Sequence, residues 1–203
     1  MNREVIFIHG GQSFSSYDAF LEHLRTGELW NVLGERPKRF KDTLRTDLGS
    51  SYDVYLPSMP NSENAKYEEW KIWFLRYLEL VHDGVVLAGH SQGGYFLAKF
   101  LAENEPPVRI GGLILIAAPA QPDDFGGEDG GDFAFDTTAL PNLAQRAERI
   151  VLFHAPDDPV VPYRHAQLYA TALPNATLHS LPGRGHFLGE TFPELLEEIE
   201  KMY

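Results

Sequence analysis

Short apolar runs punctuate this chain, and most of them are continuous rather than alternating. "EVIFIHG" (4–10), "YDVYLP" (52–57), "GVVLAGH" (84–90), "IGGLILIAAP" (110–119), "RIVLFHA" (149–155) and "ATLHSLP" (176–182) each read as a strand. Unbroken Val/Ile/Leu runs suit parallel strands covered on both faces, because neither face meets water. Between these runs the apolar period lengthens. Over 64–82, Tyr67, Trp70, Phe74, Tyr77 and Val81 recur every three or four residues, which puts them on one helical face, suited to packing on a sheet. Helices also fit 15–33, 91–104, 163–172 and 188–202. The polar, locally basic 34–50 ("GERPKRFKDTLRTDLGS") reads as a surface connection, partly helical. Alternating strands and helices predict an α/β fold. Its form is a doubly wound sheet of about six mainly parallel strands, with helices on both faces, right-handed crossovers and no large cap.

Composition narrows what such a fold can do. At 203 residues and 43% hydrophobic content, the chain suits a single domain over 1–203 with one sizeable core. The formal net charge of −12 repels phosphate backbones and anionic membranes, which argues against nucleic acid or membrane partners. There is no cysteine, so disulfides, thiolate catalysis and cysteine-ligated metals are excluded. The opening "MNREVIFIHGG" lacks the run of about 7–15 apolar residues of a signal peptide, and no stretch approaches the roughly 20 of a membrane span. The expectation is a soluble, cytoplasmic protein. Neither G-x-G-x-x-G nor G-x-x-x-x-G-K-[ST] occurs, which sets aside a nucleotide-binding α/β domain.

One stretch carries chemistry. In "LAGHSQGGYFLAKF" (87–100), Ser91 sits between an apolar strand and a helix, flanked by Gly89, Gly93 and Gly94. A glycine inside an element costs roughly 0.5–1 kcal/mol relative to alanine, so the cluster signals a backbone constraint. The Gly-x-Ser-x-Gly elbow has that constraint: a sharp strand-to-helix turn lifts the serine hydroxyl above the sheet edge. It also sets the serine at a helix N-terminus, where unpaired N–H groups favour developing negative charge. The bland alternative is close strand–helix packing with a capping serine.

A serine hydroxyl needs a base within reach, and the base needs a group to orient it. "FHAPDDPVVPY" (153–163) places Asp157 and Asp158 after a strand, and "LPGRGHFLGE" (181–190) sets His186 in a glycine-flanked loop after the last strand. The other seven histidines fall mostly on helices or strands. The order Ser91, Asp158, His186 is that of a hydrolytic triad, and all three follow carboxyl ends of strands, where open α/β sheets place their sites. Asp158, directly before "PVVP", is preferred to Asp157, which suits a turn-capping role. An oxyanion hole would use backbone N–H groups. The amide of Gln92 follows the nucleophile, and the first loop, "HGGQSF" (9–14), offers Gly11 first and Gln12 second.

The stretch "PDDFGGEDGGDFAFD" (122–136) holds six acidic residues and four glycines among Phe125, Phe133 and Phe135. It falls within 119–147, too short for a cap domain but long enough for a flap, so those three phenylalanines and Gln12 are candidate substrate contacts. Its charge would disfavour anionic substrates at the mouth. No ordered ligand spacing supports a calcium site there.

Taken together, "HGG", "LPSMPNSENAKYEEW", "GHSQGG", "DDPVVP" and "GRGHF" make the chain resemble the α/β-hydrolases, and within them the small, lid-poor serine hydrolases of the YdeN and retinoblastoma-binding protein 9 type. The resemblance spans residues 4 to 190. It implies a triad of Ser91, Asp158 and His186, hydrolysis of small acyl esters, with thioesters or amides as variants, and no cofactor or metal. A retinoblastoma-type partner does not carry over, because the Leu-x-Cys-x-Glu pattern needs a cysteine. The competing expectation is a non-catalytic ligand- or protein-binding module on the same scaffold.

Overall fold

The apolar runs assemble into one sheet in this computed structural model, which describes residues 2–29, 34–122 and 129–203. The strands are β1 (Arg3–Ile8), β2 (Tyr52–Tyr55), β3 (Val85–His90), β4 (Ile110–Ile116), β5 (Ala147–His154) and β6 (Thr177–Ser180). They lie in the order β2-β1-β3-β4-β5-β6, and every neighbouring pair is parallel. The helices are α1 (Tyr17–Thr26), α2 (Phe40–Leu48), α3 (Tyr67–Leu78), α4 (Gln92–Glu103), α5 (Leu143–Arg146), α6 (Arg164–Ala172) and α7 (Pro193–Glu200), with short 3₁₀ turns at Ser62–Asn64, Gly131–Phe133 and Thr137–Asn142. The single-domain α/β expectation holds.

Two apolar layers explain the continuous runs. On one face Trp70 and Phe74 of α3 and Tyr95, Phe96 and Phe100 of α4 cover Ile6, Leu87 and Leu113. On the other, Phe40 and Leu44 of α2 and Leu195 and Ile199 of α7 cover Val5, Phe7, Val86 and Ile114. Every residue of β3 and β4 is buried as a result.

Several boundaries differ from expectation for local reasons. The 110–119 run stops being strand at Ile116, because Ala117 takes φ 46° and turns the chain. α3 ends at Leu78, so Val81 is buried from the following turn and Tyr77 is only half-buried. α7 begins at Pro193, whose fixed φ suits a first helical position. The largest change is at 34–50. Phe40, Leu44 and Leu48 stand four apart and are all buried, so this segment is a packed helix and not merely a connection.

The strand order matters for the site. From β1 the chain goes to one side for β2 and to the other for β3, so the loops leaving β1 and β3 diverge and open a crevice at the carboxyl edge. Among the described residues, no helix is long and apolar enough to cross a membrane.

Candidate active site

Ser91 stands at that crevice, in the one-residue turn between β3 and α4. Its backbone has φ 53° and ψ −123°, a conformation that L-residues rarely adopt and that costs on the order of 1–3 kcal/mol. Main-chain bonds hold it there: its N–H donates to the Ile116 carbonyl at 2.8 Å, and its own carbonyl accepts from Tyr95 at 3.0 Å. The flanking glycines make the turn possible. A Cβ on Gly89 would lie 2.5 Å from the Gly93 carbonyl oxygen, and one on Gly93 would run into the carbonyl of Ile8 in the neighbouring strand.

His186 reaches the same crevice from the loop after β6. Its Nδ1 lies 2.9 Å from Oδ2 and 3.1 Å from Oδ1 of Asp158. The Asp158 side chain is fully buried, and Oδ1 also accepts the amides of Val160 (2.8 Å) and Val161 (3.0 Å). Burial pushes this carboxyl up, but His186 and the two amides outweigh it and hold the group below the usual carboxylate value. Asp157 is occupied elsewhere, accepting the amides of Gly183 (2.7 Å) and Gly185 (3.3 Å) and so shaping the turn before His186.

Two further histidines support the loops. His90 is buried beside Ser91, and its Nε2 donates to the main-chain carbonyl of His186 at 2.8 Å. Burial first, then the neighbouring His186, pushes its pKa down to about 3, so the ring is a neutral donor. His9 accepts the Met59 amide on Nε2 (2.9 Å), which leaves Nδ1–H to donate to the Gly10 carbonyl (2.6 Å) and pins the first loop. Burial lowers its pKa as well.

A cleft of about 390 Å³ unites these groups. Ser91, His186, Gly10, Gly11 and Gln12 line it, together with His90. Asp158 lies behind His186, and Gln92 lies buried one residue past Ser91, where its side-chain amide donates to Ser13 Oγ at 3.2 Å and ties the elbow to the first loop. The Gln12 N–H already donates to the Ser62 carbonyl at 2.8 Å, so it is engaged within the fold.

The phenylalanine expectations fare differently. Phe133 is a core residue: it is fully buried with ring contacts to Trp70 (5.3 Å), Tyr67 (5.9 Å) and Phe96. Phe135 packs on Tyr95 (5.8 Å) in the same layer. Neither lines the cleft, because Asp132 accepts the Tyr67 amide at the start of α3 and Lys99 donates to the carbonyls of Asp132 and Ala134, drawing this segment onto the body of the fold. Phe125 lies outside the described residues.

Residues 34–201 match the sequence profile of the serine hydrolase family. The chain belongs to that family. Over 138 residues it is 25% identical to YdeN of Bacillus subtilis (strain 168), which is named a hydrolase, across 64% of this chain and 68% of that one. The crystal structure of the B. subtilis ydeN gene product matches 99% of this chain and 98% of its own at 20% identity, with a TM-score of 0.71. CumD, a meta-cleavage product hydrolase from Pseudomonas fluorescens IP01, matches 99% and 90% at 14% identity, with a TM-score of 0.65. This member of the serine hydrolase family therefore has the α/β-hydrolase fold and is YdeN-like.

Some lining residues lay beyond the sequence reading. Arg39, Phe40 and Lys41 come from the first turn of α2, Glu63 from the turn after β2, and Val160, Phe187 and Leu188 from the loops that carry Asp158 and His186. The four-residue spacing of Phe40, Leu44 and Leu48 was the available signal. Nothing in it says that α2 would lean over the crevice; that follows from Phe40 packing edge-on against Phe7, His90 and Phe192.

Proposed function

We propose that the protein hydrolyses small carboxylic esters through an acyl-enzyme formed on Ser91. The observation that carries this reading is the bond from His186 Nδ1 to a fully buried Asp158, with His186 and Ser91 facing one cleft. Asp158 fixes the tautomer in which Nδ1 bears the proton, so Nε2 is the nitrogen left to accept one. As Ser91 Oγ bonds to the acyl carbon, its proton passes to Nε2 and the carbonyl electrons move onto oxygen. The Gln92 N–H, at the first turn of α4, and the Gly11 N–H stabilise that oxyanion. The carbonyl re-forms as the alcohol leaves with the proton, and water then repeats the sequence to free the acid.

The strained backbone at Ser91 supports this reading, since such strain persists where function needs a side chain in one direction. The short link from Gln92 to Ser13 supports the pairing of the two oxyanion donors, because it fixes the elbow against the loop that carries Gly11. Release of p-nitrophenol from a short-chain ester tests it. Ser91→Ala lowers kcat by at least about 10³-fold if the reading holds. Retention of a near-wild-type rate overturns it.

A further inference from the structure

The cleft has an uneven electrical character that hydrolysis alone does not require. Phe40, Val160, Phe187 and Leu188 are its apolar lining, and two cations, Arg39 and Lys41, line it on either side of Phe40 in the chain. They do so in a chain with a net charge of −12. Two neighbouring cations are satisfied: Arg36 pairs with Asp42 at 2.7 Å, and Arg45 donates to the Val54 carbonyl at 2.9 Å. Among the described residues, Arg39 and Lys41 make no ion pair.

The carboxylates close by form no ion pair with them, although Asp42 draws Lys41 from a distance. Asp42 is engaged by Arg36 and by the Arg39 main-chain N–H at 2.9 Å. Glu63 also lines the cleft, from the turn after β2, yet it is not within ion-pair distance of either cation. Burial, then the like charges of Arg36 and Arg39, push the Lys41 ammonium below its usual pKa against a smaller upward pull from Asp42. A half-buried cation crowded by like charge gains from an incoming anion. The acidic stretch that the sequence suggested would repel anions here is turned elsewhere in its described part: Asp129 accepts the amides of Ser15 and Gly131, and Asp132 that of Tyr67.

We infer that the cleft selects ester substrates carrying a carboxylate, held by Lys41 with Arg39 while the chain between lies along Phe40, Val160 and Leu188. This rests on the hydrolytic reading above and names its substrate class. The carboxylate sits on the acyl group or on the leaving alcohol, two sources of the same chemistry.

The test compares p-nitrophenyl glutarate, anionic on the acyl side, and 3-carboxy-4-nitrophenyl butyrate, anionic on the leaving side, each with its neutral carboxamide counterpart. Wild-type protein prefers the anionic member of one pair by about tenfold in kcat/KM. Lys41→Gln cuts that ratio severalfold, and Lys41→Glu inverts it. Calorimetric titration of Ser91→Ala protein with the same ligands reads the recognition without turnover: the anionic ligand binds more tightly, and adding Lys41→Gln removes the difference. Absence of all ester turnover defeats the hydrolytic reading, while the titration still decides the anion claim. Equal binding of charged and neutral ligands, or a selectivity ratio unmoved by Lys41→Gln, overturns the inference.

Discussion

The imidazole of His90 donates to the main-chain carbonyl of His186 at 2.8 Å, so the residue beside the elbow holds the loop that carries the other imidazole. Its neutrality has a consequence for stability. Folded His90 has a pKa of about 3 against an ordinary 6.5. Between those values the unfolded chain takes up a proton that the folded chain refuses. Stability is therefore lost as pH falls below 6.5. The loss from this one group reaches about 2 kcal/mol by pH 5. His9 and His154, both lowered by burial, add losses of the same sign. The Asp158 contribution disappears only at lower pH, as its depressed carboxyl titrates. Urea midpoints measured from pH 8 to pH 5 should fall, and His90→Gln should flatten that slope; an unchanged slope contradicts the assignment.

Asp158→Asn separates charge from shape. The Val160 and Val161 amides demand an acceptor, so the asparagine oxygen faces them and its NH₂ faces His186. That forces Nδ1 to accept and puts the proton on Nε2, where it blocks transfer from Ser91. A kcat loss of about 10²–10⁴ is expected, with KM little changed. Asp157→Asn, which touches only the turn amides, should cost far less. Similar losses in both would show that the carboxylate is acting through the loop and not through the imidazole.

Gly93→Ala drives a methyl group into the carbonyl of Ile8, between two elements that cannot separate. Overpacking of this kind costs about 1–3 kcal/mol. Differential scanning calorimetry should show a Tm several degrees lower. Gly34→Ala is the control, because a Cβ there meets open space and should leave Tm nearly unchanged.

Phe133→Leu tests the placement of that ring in the core. It should lower stability, through loss of the contacts with Trp70 and Tyr67, without altering the relative KM values across an ester chain-length series. A shifted chain-length preference would put Phe133 back at the substrate.

What the sequence made legible follows from how local each signal was. The six strands could be read because parallel strands buried on both faces leave continuous apolar runs, and the positions of Ser91, Asp158 and His186 after strands β3, β5 and β6 could be read because each follows such a run into a Gly- or Pro-marked turn. Which aspartate meets His186 was also accessible, since the preceding residue, Asp157, suited a turn cap, and it holds Gly183 and Gly185. Contacts between distant segments were not legible. Phe133 stands in a glycine-rich acidic stretch that looks solvated, and it is the Asp132 bond to the start of α3, with the Lys99 bonds to the Asp132 and Ala134 carbonyls, that brings it into the core. Lys41 and Arg39 looked like ordinary surface charge, because their position over the cleft depends on Phe40 docking against β1, β3 and the turn before α7.

The proposed acyl-enzyme requires Ser91 to be a nucleophile activated by His186. A fluorophosphonate probe, followed by peptide mass spectrometry, tests this on the folded protein without knowledge of the substrate. A single adduct should form on Ser91, absent in Ser91→Ala and formed far more slowly in His186→Ala. A folded wild-type protein that stays unlabelled, or an adduct on another residue, would contradict it.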